Sequence, residues 1–110
     1  MERITERTAA VEELLEDAGA AAGIAPDSLQ VLLILAARFG RVAWKYSSIA
    51  YSLILKNVGV LYMNMYLNAT AMGLAPCAIG AGDADKFARI AGTDYYSETS
   101  VGEFLLGSRR

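Results

Sequence analysis

Histidine is absent from this chain of 110 residues, and cysteine occurs once, as Cys77. Without histidine, neither a Ser-His nor a Cys-His pair can activate a nucleophile, and zinc sites of the usual Cys/His type cannot form. One cysteine cannot make an internal disulfide, which is compatible with a reducing compartment. We therefore expect a cytoplasmic protein without a metal site.

Acidic residues are absent from a long central segment. Residues 28–82 contain no Asp or Glu, although they contain Arg38, Arg41, Lys45 and Lys56, whereas residues 1–27 are rich in acids. Four bases without a local counter-charge fit an anionic cofactor or an acidic peptide segment, and pairing with the acidic first helix would explain them equally well. The net charge of −2 predicts no bulk attraction to nucleic acid or to anionic lipid.

Hydrophobic residues are abundant, at 55% of the chain, which predicts a folded domain that buries apolar surface against a partner or a further chain. The one candidate for a membrane span is the uncharged stretch over residues 57–82. Three asparagines and Pro76 interrupt it, so a buried helix is the favoured interpretation.

Hydrophobic spacing and the positions of Gly and Pro predict a chain with the order α-β-α-β-α-β, within one α+β or α/β unit. Asp83 is a suitable N-cap, because its carboxylate accepts from free backbone N–H groups at the positive end of a helix. The predicted elements are a helix over 2–22, a strand over 28–37, an extended or irregular connection over 41–48, a helix over 49–72, a strand over 74–79, a helix from Asp83 through Ala91, a polar loop over 93–102 and a strand over 103–106.

The turn Ile79-Gly80-Ala81-Gly82 follows the predicted strand over 74–79. Small residues in sequence let backbone amides approach a flat or anionic ligand, because no large side chain stands in the way. This composition suits a flavin better than a metal or a nucleophile. An ordinary tight turn is the alternative interpretation.

Four blocks of sequence carry a family resemblance, and they are Lys45-Tyr46-x-x-Ile49-Ala50-Tyr51, Leu55-Lys56-x-Val58-Gly59-Val60-Leu61-Tyr62, Ala71-Met72-Gly73-Leu74-Ala75-Pro76-Cys77-Ala78-Ile79-Gly80 and Gly102-Glu103-Phe104-Leu105-Leu106-Gly107. Their order and spacing closely resemble those of the SagB-type (McbC-like) dehydrogenases of the FMN-dependent nitroreductase superfamily. The resemblance covers about residues 28–107, and the first helix is compatible with it. It implies an α+β fold that corresponds to the C-terminal half of a nitroreductase-like domain, so that residues 1–110 form a single partial domain.

The resemblance also implies an activity and its partners. Such enzymes use FMN to oxidise azoline rings of a modified precursor peptide to thiazoles or oxazoles. Two subunits exchange surfaces around each FMN, and the long helix, here over 49–72, belongs to that interface. We accordingly expect a homodimer or a complementing chain, with FMN as the cofactor and a precursor peptide as the substrate.

The resemblance assigns candidate site residues. The turn of Ile79, Gly80, Ala81 and Gly82 matches the segment whose backbone amides face flavin N5 and O4, with Gly80 and Ala81 as the main donors. Such donors stabilise the charge that arrives on the reduced ring. Lys45 and Tyr46 match a Lys-Tyr pair assigned to acid–base chemistry, although a structural role for Tyr46 would explain the dipeptide as well. Arg109 or Arg110 is a candidate for the FMN phosphate, and a solvated tail is the alternative.

One part of the family pattern has no counterpart here. It is the N-terminal half, whose Arg-x-Ser-x-Arg type motif holds the FMN phosphate through charge-assisted hydrogen bonds. Three interpretations stay open: the C-terminal half of an azoline dehydrogenase completed by another chain, a truncated non-catalytic dimerisation or partner subunit, and a small flavoprotein that acts on nitro compounds or quinones.

Overall fold

The computed structural model describes residues 9–25, 28–80, 82–94 and 96–108. The order of elements agrees with the prediction apart from one additional helix. The elements are α1 (Ala9–Ala22), β1 (Val31–Arg38), α2 (Phe39–Tyr46), a 3-10 turn (Ser47–Ile49), α3 (Ala50–Ala71), β2 (Leu74–Ile79), α4 (Ala84–Ala91) and β3 (Glu98–Ser108).

The three strands form one antiparallel sheet in the order β1-β3-β2. Pro76 lies on β2, which pairs with β3 only, and a strand with one neighbour tolerates a residue that cannot donate a ladder hydrogen bond. The register between β1 and β3 shifts between Leu35 and Ala36, because Leu35 pairs with Gly102 and Ala36 with Ser100. Val101 is therefore the extra residue of a β-bulge.

Successive residues of β3 face opposite sides of the sheet, as the pleat requires. Phe104 is fully buried and its ring contacts those of Tyr62 and Tyr66 on α3, with centroids 5.9 and 5.2 Å away. Leu105 instead belongs to a buried cluster with Ala18 of α1 and Ile79 of β2. The sheet thus lies between α3 on one face and α1 on the other.

The connection predicted over 41–48 is wrong, because residues 39–46 form the helix α2. Tertiary contacts start this helix: the Phe39 N–H donates to the Ser97 carbonyl at 3.1 Å, and the Phe39 ring lies 6.0 Å from that of Tyr51. Gly40 inside the helix weakens the local signal. Ser47, with φ of 49°, then ends α2.

The last strand is longer than the predicted 103–106, because β3 begins at Glu98. Its polar first residues pair with residues 36–38 of β1, so hydrogen bonds to a distant partner decide their conformation. The first predicted strand is likewise shifted to 31–38. Of the first predicted helix, residues 9–22 are helical, and residues 1–8 lie outside the described ranges.

The long helix agrees with its predicted bounds to within one residue, but it is not a buried helix. Only Ala50, Ile54 and Ala69 of its 22 residues are buried. Several large apolar side chains of α3 are exposed, among them Tyr51, Leu55, Val60, Leu61, Met63 and Leu67. Within the described ranges no helix combines the length and the hydropathy of a bilayer span, α3 included.

The start of α4 confirms Asp83 as its N-cap. The Asp83 carboxylate accepts from the Lys86 N–H at 3.0 Å, and Gly92 ends the helix in the left-handed region at φ 69°. We expect Asp83→Ala to lower the free energy of unfolding by about 1 kcal/mol, since that N–H loses its acceptor. Asp83→Asn keeps an acceptor and serves as the control. Urea unfolding checks the pair, and equal losses in both variants would contradict the capping role.

Candidate functional site

A cleft of about 410 Å³ opens at the edge of the sheet where β2 ends. The last pair between β2 and β3 is Ile79 with Glu103, whereas β3 extends further, to Glu98, beside β1. One wall is the first half of α3 from Tyr51 to Tyr62, the second is the segment that follows β2, and the third is residues 100–103 of β3. A volume of this size suits a small organic ligand.

The structure places three of the four predicted turn residues at this cleft. Ile79, Gly80 and Gly82 line it, and Ala81 lies outside the described residues. A Cβ added at Gly80 would meet no heavy atom within 4 Å, so the space beside its backbone is open. A Cβ added at Gly82 would instead meet the Glu103 carboxyl group, 2.8 Å from its Cδ. The turn therefore has one open glycine and one tightly packed glycine.

Tyr62 links α3 to the floor of the cleft. Its hydroxyl oxygen accepts a hydrogen bond from the Glu103 N–H at 2.9 Å. The same hydroxyl is so close to Gly102 that no side chain fits there, since an added Cβ would lie 2.9 Å from Tyr62 Cζ. Burial is the largest cause that raises the pKa of Tyr62, so the phenol is neutral near pH 7. Tyr66 makes the matching contact on β2, where its hydroxyl accepts from the Ala78 N–H at 2.7 Å.

Glu103 is a buried acid in the wall of the cleft. Only 3% of the residue is exposed, and its Oε1 has no hydrogen-bond partner in the described part of the chain. Burial raises the pKa of the Glu103 carboxyl, and the negative charges of Asp17 and Asp83 raise it further. No sequence pattern used above predicted a role for this side chain, although an acid within the apolar run Val101–Leu106 is a visible signal.

The two predicted acid–base residues do not line the cleft. Lys45 and Tyr46 are the last residues of α2, and both are exposed. The Lys45 Nζ lies 5.4 Å from the centre of the Tyr46 ring, which is a cation–π contact. Tyr51, which does line the cleft, follows in the first turn of α3. Their role stays a prediction, as does that of Arg109, which lies outside the described residues.

The basic side chains of the central segment do not pair with α1. Arg38 pairs with Glu98 of β3 at 3.2 Å, and no ion pair of Arg41, Lys45 or Lys56 occurs among the described residues. The acids of α1 are partly balanced from elsewhere, because Lys86 of α4 contacts Asp17 at 2.8 Å and Glu13 at 3.8 Å. Over the same residues no cluster of acids or cysteine could hold a metal ion.

Two solved structures resemble this fold. One is the crystal structure of a nitroreductase candidate from Anabaena variabilis ATCC 29413, with a TM-score of 0.71 and 26% identity; the match covers 84% of this chain and 20% of that one. The other is a chain of the E. coli microcin synthetase McbBCD complex with truncated pro-MccB17 bound, with a TM-score of 0.73 and 18% identity. This match covers 90% of the present chain and 37% of the McbBCD chain. At 18% identity, the likeness to the McbBCD chain concerns the fold alone.

The chain thus spans only a fifth to somewhat over a third of these solved chains. No curated protein matches it. The Nitroreductase family, however, matches residues 2–107, which is almost the whole sequence. Together with the α+β architecture described above, this match shows that the chain belongs to the nitroreductase family.

Proposed function

We propose that this chain is part of an FMN-dependent oxidoreductase of the SagB type, which oxidises azolines of a modified precursor peptide to thiazoles or oxazoles. The observation that carries the proposal is the cleft, whose wall contains the glycines of the 79–82 turn. Membership of the nitroreductase family and the four SagB-like sequence blocks support it. The fold likeness to a chain of the McbBCD complex, which was solved with truncated pro-MccB17, supports the choice of a peptide substrate.

The residues at the cleft fit the ring of a flavin. Gly80 leaves open space beside its backbone, and the cleft volume is in the range of small-ligand sites. Apolar side chains of α3, such as Leu55 and Val58, offer a surface for a flat aromatic ring. No Lys or Arg lines the described walls. Arg109 follows Ser108, which pairs with Leu74 at the opposite end of β2 from the cleft, so a phosphate contact would come from Arg109 of a second copy or from a further chain.

Each proposed residue has a distinct task. The backbone N–H groups of Gly80 and Ala81 would donate hydrogen bonds to the ring of a bound flavin, because donors at that position stabilise added negative charge. FMN, when bound, supplies a hydride acceptor. Lys45 or Tyr46, in its deprotonated form, would take the one proton that the azoline carbon loses, which requires that α2 of a second chain lies beside the cleft that holds the reacting carbon.

The exposed apolar surface of α3 supports a partner chain. Side chains such as Leu61, Met63 and Leu67 are between 43% and 63% exposed, and burying a large apolar side chain contributes roughly 1.5–3 kcal/mol. A homodimer or a complementing chain would cover this surface. In either assembly α2 of one chain and the cleft of another can approach each other.

A second function is favoured by one specific observation. The cleft lacks a described basic wall, and Lys45 and Tyr46 do not line it. A non-catalytic dimerisation or partner subunit would need the α3 surface and not these groups. The two functions differ in whether the assembled protein binds FMN and oxidises a substrate.

The deciding experiment is a titration of the purified chain with FMN, followed by flavin fluorescence, with the oligomeric state measured in the same samples. Gly80→Leu adds a bulky side chain to a residue that lines the cleft, and we expect it to weaken FMN binding by at least about tenfold. Gly107→Leu is the matched control, because an added Cβ there also meets nothing within 4 Å and Gly107 does not line the cleft.

Saturable quenching at micromolar FMN that Gly80→Leu abolishes and Gly107→Leu preserves would support the oxidoreductase. Absence of binding by an associated chain would favour the partner subunit. Equal weakening in both glycine variants would mean that FMN does not bind in this cleft.

A further inference from the structure

Glu103 combines burial with a free polar atom, and no role assigned above uses it. Its Oε1 lacks a hydrogen-bond partner among the described residues, and only 3% of the residue is exposed to solvent. An ionised carboxylate without a partner is costly in such a position, so the group favours its neutral form. The pKa of Glu103 is raised accordingly, first by burial and then by the charges of Asp17 and Asp83.

The contact partner of this carboxyl is the turn that lines the cleft. Oε1 and Cδ of Glu103 occupy the space where a side chain at Gly82 would lie. Gly82 follows Gly80 by two residues, and Asp83 then caps α4 through the Lys86 N–H. The backbone of Glu103 is held in turn, because its N–H donates to Tyr62. The carboxyl group therefore packs against Gly82 from a strand whose backbone is held at Glu103.

We propose that Glu103 is a positioning residue, whose neutral carboxyl group supports the 79–82 turn and whose ionisation displaces Gly82 and weakens ligand binding in the cleft. A buried group that becomes charged must recruit water or a donor. The backbone packed against the carboxyl group is that of Gly82, so Gly82 is the residue that gives way. The cleft is thus competent at lower pH and impaired at higher pH. That the ligand is FMN rests on the proposed function, whereas the displacement of the turn does not.

Among the described residues, the acidic groups around Glu103 favour this direction. Asp17 on α1 and Asp83 before α4 repel an ionised Glu103, and Tyr62 on α3 is neutral near pH 7. Lys86 is the nearby base, but its Nζ is engaged by Asp17 at 2.8 Å, and that hydrogen bond is the main cause that raises the pKa of Lys86.

The sign of the pH effect follows from linkage. The folded protein holds the Glu103 proton more tightly than the unfolded chain, whose carboxyl has the usual value of 4.5. The stabilisation is therefore complete below that value and is lost as pH rises through the raised pKa of the folded state.

The test follows the backbone amide resonances of Gly80 and Gly82 by NMR from about pH 5 to about pH 8, with FMN affinity measured over the same range. We expect both amides to titrate together in the wild-type chain and the FMN dissociation constant to rise about tenfold. Glu103→Gln imitates the neutral carboxyl, so it should keep the low-pH resonances and affinity throughout. Glu98→Gln, on the same strand but outside this cleft, is the matched control and should behave as wild type.

Asp17→Asn provides a second variant that leaves Glu103 in place. Removing that negative charge, and releasing Lys86, should move the midpoint of the amide titration to lower pH. Turn amides that do not titrate in the wild-type chain, or that titrate unchanged in Glu103→Gln, would overturn the proposal. Turn amides that titrate as expected in a chain that never binds FMN would support the proposal and reject the flavin. FMN binding without any pH dependence would support the flavin and overturn the proposal for Glu103.

Discussion

Replacing Lys45 by Ala together with Tyr46 by Phe is expected to lower the rate of azoline oxidation by about 10²–10⁴-fold in a reconstituted system, the usual contribution of a positioned acid or base. The stability of the fold should hardly change. Both side chains are exposed, and none of the residues of α2 is buried. FMN affinity should also be retained, because neither residue lines the cleft.

The matched control for this pair is Lys56→Ala with Tyr96→Phe, which removes the same chemical groups from two other exposed positions, neither of which lines the cleft. The initial rates of the two double variants with an azoline-containing peptide are measured across pH and compared. If the Lys45 and Tyr46 double variant keeps wild-type activity while the flavin remains bound, the acid–base assignment is wrong. An equal loss in both double variants would indicate a general effect of surface charge.

Phe104→Ala is expected to have the largest effect on stability, a loss of about 3–5 kcal/mol in the free energy of unfolding. Phe104 is 0% exposed, and it is the largest fully buried side chain among the described residues. Its ring packs against both Tyr62 and Tyr66, the two residues whose hydroxyls accept from the backbone of β3 and β2. A cavity there would remove ring contacts and loosen both hydrogen bonds.

Denaturant unfolding followed by circular dichroism checks this expectation. Tyr96→Ala is the control, since Tyr96 is 85% exposed and surface substitutions usually stay within about 0.5 kcal/mol. Because small domains are stable by only about 5–15 kcal/mol, Phe104→Ala should populate the unfolded state measurably. A loss as small as that of Tyr96→Ala would show that Phe104 does not centre the packing between sheet and α3.

Local signals in the sequence predicted several elements closely. The strand over 74–79 and the Asp83 cap are confirmed, and α3 differs from its prediction by one residue at each end. Each depends on residues near one another in sequence. Gly73, at φ 74°, follows the end of α3, and the Asp83 carboxylate accepts from the Lys86 N–H three residues later. Such contacts can be inferred without knowing where the rest of the chain lies.

Distant contacts decided the elements that the sequence analysis placed wrongly. α2 begins where Phe39 meets Ser97 and Tyr51, and β3 begins at Glu98 because β1 offers it a partner. The exposed surface of α3 differs from the buried helix that was favoured over a membrane span, since apolar residues all round a helix predict burial without saying what buries them. The place of this helix at a subunit interface stays a prediction.

The sequence by itself determined the family, the order of the main elements and the small-residue turn. Family blocks, caps and glycines can each be recognised from residues that are neighbours along the chain. Only the tertiary structure decided that this turn lines a cleft, that Glu103 lies buried against Gly82 and that Tyr62 is hydrogen-bonded to the Glu103 backbone. The physical reason is separation in sequence. Residues 62, 82 and 103 meet only when the register of the sheet is set, and that register depends on side-chain packing across the whole domain.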